Sequence, residues 1–174
     1  MRPGVRKLAL TAHVTSSVGW AGAVAAYLAL AVAALASRDA QLVRSAYLAM
    51  EVAAWFVIVP LSLSSLLTGL VQALGTAWGL LHHYWILFKL VLNLLASSLL
   101  LLYTQTIGYF ADVAAAATSS GAELGELKDP THVLHAGGAL LLLLVATVLA
   151  VYKPRGLTPY GRRRRHHQRA ALVP

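Results

Sequence analysis

The chain has no cysteine. That excludes disulfides, thiolate metal sites, thiol catalysis and covalent haem attachment through a CxxCH motif. Methionine is nearly absent too, with two residues including Met1, so there is no thioether-rich face for copper. Charged residues make up only 11%, where a soluble domain carries about a quarter. Phosphate-binding Walker loops, GxSxG elbows and HExxH zinc motifs are all missing. No two carboxylates share a depth for acid–base work, so no catalytic residue is assigned and the reading leans away from an enzyme. No internal repeat stands out.

What the sequence does have is apolar length. Hydrophobic residues make up 59% and the mean hydropathy is +0.70. A bilayer core takes about 20 apolar residues per helix, and four such runs with short loops use up nearly the whole chain. The expected fold is an all-α, polytopic membrane four-helix bundle. Its spans fall at about 8–36, 47–74, 84–110 and 131–152, in a single domain over 1–152. The first run is too long for a signal-peptide core of about 7–15 residues and is read as a retained span. Pro60 interrupts the second span, where it frees a carbonyl and predicts a kink, with Ser62, Ser64 and Ser65 near enough to help satisfy the backbone. Asp112 to Asp129 forms the one sizeable loop, and it is acidic.

Basic residues cluster at the N-terminus (Arg2, Arg6, Lys7) and in the tail 153–174 (Lys153, Arg155, Arg162 to Arg165, Arg169). The tail is expected to be disordered. Four spans put both ends on one side, and the positive-inside rule makes that side the cytoplasm. The net charge of +8 therefore reads as topogenic and directed at anionic lipid, not at nucleic acid.

Ionisable residues inside a bilayer are costly and tend to face the protein interior. Helical phase at about 100° per residue puts His13, Ser17, Trp20, Val24 and Tyr27 on one face of helix 1. Glu51, Ile58, Ser62, Ser65 and Gly69 share a face of helix 2, and His82, Lys89, Asn93, Ser97 and Thr104 share one of helix 3. His132 and His135 follow on helix 4, beside Gly137 and Gly138. Small residues on such faces let helices approach closely. Two candidate sites follow. The inner one joins His13 to His82 or His83, with Lys89 and Asn93 nearby and Trp20 and Trp85 as possible walls. It would suit a b-type haem between helices 1 and 3, with Lys89 pairing a propionate or another anion. The outer one joins Glu51, His132 and His135 as a metal set, for which copper is the alternative to haem. The bland readings are a snorkelling Lys89, headgroup-level histidines and a Glu51 paired with Arg44. A rival functional reading is a non-catalytic transporter, a homo-oligomer or an accessory subunit of a larger membrane complex.

The segments LTAHVTSSVGWAGAV, PLSLSSLLTGLV and YWILFKLVLNLL together resemble the small bacterial membrane proteins around HemJ and the CopD copper-resistance domain. The resemblance covers helices 1 to 3 through short motifs. It implies a four-helix bundle in a bacterial inner membrane, with the HemJ-like histidine and lysine positions matching His13 and Lys89, and b-type haem with porphyrinogen oxidation as the family chemistry. CopD-like proteins imply copper handling. This chain lacks the arginine that follows the helix 1 Trp-Gly segment in HemJ, which argues against porphyrinogen oxidation.

Overall fold

A computed structural model describes residues 2–75, 83–117, 125–154 and 156–163. The elements are α1 (Pro3–Ala36), α2 (Ala40–Ala53), a π-helical turn (Ala54–Ile58), α3 (Val59–Gly75), α4 (Tyr84–Ala116) and α5 (Thr131–Tyr152). α2, the π turn and α3 run on as one span, so four helices are long and apolar enough to cross a membrane. The chain is an all-α, multi-pass membrane protein.

The helices run longer than hydropathy alone suggests. α1 starts at Pro3, which suits a first helical position because proline's missing N–H is one that a helix start leaves unpaired anyway. The second span starts at Ala40, where the Asp39 carboxylate accepts a hydrogen bond from Gln41 N at 2.9 Å. The third continues to Ala116, past the expected end at 110. These extra turns are polar or small, so apolarity does not mark them.

Around the bundle, the first span packs on the second and fourth, and the third also packs on the second and fourth. Spans 1 and 3 are therefore diagonal, not adjacent. α1 buries Ser16, Trp20, Val24, Tyr27, Ala31 and Ala34, a strict step of three or four residues, as the phase reading expects. Beneath Pro60 the helix widens instead of only kinking. Val59 N–H donates to Ala54 O, five residues back. Ser62 Oγ donates to Val59 O at 2.8 Å, so this serine serves its own turn.

Two basic side chains close helix ends on the loop side. Lys128 Nζ donates to the α1 carbonyls of Ala34 (2.7 Å) and Leu35 (3.0 Å), and to Ser37 O. Arg44 Nε donates to Ala114 O at 2.9 Å, and its Nη2 to Ala115 O at 3.4 Å. Each cation sits where a helix presents unpaired carbonyls and partial negative charge. Arg44 is thus committed to α4 and not to Glu51. The first part of the tail has structure as well: Tyr84 N donates to Gly156 O at 3.3 Å, His83 bridges Leu157, and Thr158 is buried.

Candidate functional site

Start with the inner set. His13 is half-buried on α1 and turns towards α3. Its Nδ1 lies 3.1 Å from Ser65 O and 3.2 Å from Thr68 Oγ1. A carbonyl can only accept, so Nδ1 carries the proton and Nε2 the lone pair. The ring lies over Gly69, where an added Cβ would come 3.0 Å from His13 Cε1. Ser17 and Ser65 pair at 2.8 Å, and Gln72 Nε2 donates to Ala9 O at 2.9 Å. A polar seam thus joins spans 1 and 2.

This corrects the expected pairing of helix 1 with helix 3. The cause is the ring order of the bundle, which sequence phase does not encode. Lys89 is half-buried and close enough to His13 for their charges to interact, and Asn93 is half-buried one turn further along. His83 begins the third span and tilts against Trp85, with ring centroids 6.5 Å apart. His82 lies outside the described residues.

The outer set divides. His132 is 1% exposed and forms the hub of an aromatic cage. Its Nδ1 is 2.8 Å from the Tyr27 hydroxyl. Phe110, Tyr47 and Tyr103 meet its ring edge to face at centroid distances of 4.8, 5.2 and 5.5 Å. Tyr47 is held by its own bond to Leu127 O at 2.6 Å. Among the described residues, His132 Nε2 is buried without a hydrogen-bond partner, as are Tyr103 OH and Ser97 Oγ. Thr131 lies beside Tyr103 without completing a bond to it. His135, three residues on, is exposed and stacks flat on Tyr103, with centroids 4.0 Å apart and planes 11° from parallel. Its Nδ1 lies 2.9 Å from Thr131 O, so the proton is again on Nδ1 and the lone pair on Nε2.

Glu51 does not join the histidines. It sits with Val52, Trp55 and Phe56 on the outward side of the second span, where Phe56 is 78% exposed. The π turn explains this. Upstream of it the buried stripe is Val43, Tyr47, Met50 and Ala54; downstream it is Ile58, Ser62 and Ser65. A regular helix run back from Ile58 would bury position 51, but the wider turn shifts upstream phase by about one residue, or about 100°. Among the described residues no group of three or more His, Cys, Asp or Glu side chains could hold a metal ion. The expected Glu51–His132–His135 set is not assembled.

A cavity of ≈ 480 Å³ lies between the first, third and fourth spans. Trp20 and Ile58 form part of its apolar wall, and Tyr27, Tyr103 and His135 supply its polar groups. Trp85 takes no part in it. Leu99, Leu134 and Leu141 also line it, and they are 49%, 69% and 63% exposed, so the cavity opens sideways between the third and fourth spans. Gly138 lines it too, and a Cβ there would meet nothing within 4 Å. The glycines of α5 leave open space instead of drawing helices together.

The residues that the sequence reading missed are Tyr47, Tyr103 and Phe110. Tyr103 looked like an interfacial marker at a span end. α4 runs on past it to Ala116, so it lies within the span and not at its end. A scan of family models, curated proteins and solved structures finds no match to this chain, so the likeness to HemJ and CopD rests on its short motifs alone.

Proposed function

We propose that this membrane protein binds an elongated lipophile bearing a hydroxyl head group, held in the lateral cavity between its first, third and fourth spans. The observation that carries the reading is Tyr103: it lines the cavity, and its buried hydroxyl has no hydrogen-bond partner among the described residues. A buried unpaired hydroxyl costs about 1–3 kcal/mol, which a ligand's polar head offsets. Beside it His135 offers an Nε2 lone pair. A hydroxyl head both accepts from Tyr103 and donates to His135, while its tail lies against the leucines that open to lipid. The chain then acts as a binding protein, in a bacterial inner membrane with both termini cytoplasmic. The basic ends support that orientation.

A second reading puts b-type haem in the same cavity with His135 as axial ligand. It draws on the same Nε2 lone pair, fixed by the bond from Nδ1 to Thr131 O, the arrangement usual for ligating histidines. Purification in mild detergent separates the two readings. Organic extracts of the wild type and of Gly138→Leu, which fills the cavity, are compared by mass spectrometry, and the protein is scanned for a Soret band. A lipid alcohol or phenol retained by the wild type and lost from Gly138→Leu supports the first reading. A Soret band lost in His135→Ala supports the second. Identical, colourless extracts from both proteins sink both.

A further inference from the structure

Glu51 is placed where a carboxylate is costly. Arg44 marks the loop-side end of the bundle, because it bonds Ala114 O and Ala115 O in the last turn of α4. Glu51 lies seven residues further down the second span, about 10 Å at 1.5 Å per residue. Leu48, Val52, Trp55 and Phe56 around it are all exposed, which in a membrane span means contact with lipid. An ionisable group at such a depth normally faces the protein interior and is paired there. Glu51 is not: its carboxylate makes no hydrogen bond or ion pair among the described residues. It shares a shallow recess with Val52, Trp55 and Phe56, all of the second span, so no other described span lines it.

The π turn sets this placement. Widened turns of this kind are rare and occur often at functional sites, and here the turn over Ala54–Ile58 takes Glu51 out of the buried stripe. Among the described residues no cation of the chain meets it. Arg44 and Lys128 are bound to carbonyls. Arg38 lies outside the helix, at the loop, and Arg2, Arg6, Lys7, Lys89 and Lys153 lie towards the opposite end. His135 has its Nδ1 proton on Thr131 O, so its Nε2 turns a lone pair, not an N–H, to any carboxylate. A second copy brings the same groups and so offers no cation at this depth.

We propose that the outward face of the second span at Leu48, Glu51, Val52, Trp55 and Phe56 docks a transmembrane helix of a different protein, one that carries a lysine or arginine at the depth of Glu51. Charge complementarity selects this occupant: the ion pair removes two charges that neither helix keeps at low cost in lipid. Trp55 and Phe56 supply apolar contact, and the indole ring adds its own attraction for a cation. None of the five residues lines the lateral cavity, so docking and ligand binding can fail independently.

The test uses the full chain in phospholipid vesicles. A donor dye is attached through Arg38→Cys, the only thiol because the chain has no cysteine. Energy transfer is read to an acceptor-labelled synthetic span of leucine and alanine that carries one lysine about a third of the way along. An otherwise identical span without the lysine is the reference. The expected result is transfer above the reference for Glu51, a fall to the reference level in Glu51→Ala, and retention in Glu51→Asp. Glu51→Lys loses the transfer and regains it with a span that carries glutamate in place of lysine. Gly138→Leu leaves it unchanged. Equal transfer to both spans, or undiminished transfer in Glu51→Ala, overturns the proposal. Transfer between copies of the chain that disappears in Glu51→Ala assigns the face to a second copy and overturns it as well. If Glu51→Ala does not fold, the charge swap decides the outcome.

Discussion

Single residues decide most of the polar chemistry inside this bundle. Gly69 is the clearest case, because a methyl group there would press on the His13 ring at 3.0 Å. Either the imidazole leaves Ser65 O or the second span shifts. Gly69→Ala is therefore expected to destabilise by about 1–3 kcal/mol, the usual range for overpacking. Gly137→Ala, with nothing within 4 Å of its new Cβ, should be neutral or stabilising, because glycine is a poor helix residue. Thermal midpoints of the two variants in one detergent check the opposite signs. The sequence showed that His13, His132 and His135 lie in membrane spans. It could not show that Tyr27 bonds the second of these while Tyr103 stacks on the third. Those pairings join residues far apart in the chain, and helical phase only says which face each one occupies.

Helix ends and one irregular turn shape the elements. Lys128 holds the last carbonyls of α1 from a position far along the chain. Lys128→Met keeps the side chain's length and removes its charge and hydrogen bonds. A partly buried cation at a helix C-terminus contributes up to about 2 kcal/mol, so a loss of about 1–2 kcal/mol is expected, read as a lower thermal midpoint. Lys128→Arg should recover part of it. The π turn was announced by Pro60, but only as a kink. Its effect on Glu51 was hidden, because the phase of a helix can be extrapolated only while the helix stays regular. Residues after the turn, Ser62 and Ser65, were read correctly as buried, and the residue before it was not.

At the scale of the whole molecule, charge and topology agree: Asp39, Asp112, Glu126 and Asp129 lie at one end of the bundle, and Arg2, Arg6, Lys7 and Lys153 at the other. The absence of cysteine makes this testable with single introduced thiols. Asp39→Cys, at the loop-side end, should react with a membrane-impermeant maleimide in intact cells. Arg6→Cys should react only after permeabilisation. The reverse labelling pattern would invert the orientation. The lateral cavity also belongs to this scale, because residues of all four spans line it, Ile58 from the second.

The sequence by itself determined the number of spans, the all-α class and the face each regular helix turns inward. Those properties follow from apolar length and from a periodicity local to each helix. Only the tertiary structure decided which spans are neighbours, and so that His13 bonds the second span and not the third. It also decided that Glu51 turns outward, that Tyr27 bonds His132, and that Tyr27, Tyr103 and His135 meet at one cavity. Such contacts depend on the order of helices around the bundle axis and on one widened turn, and neither leaves a periodic trace in the chain.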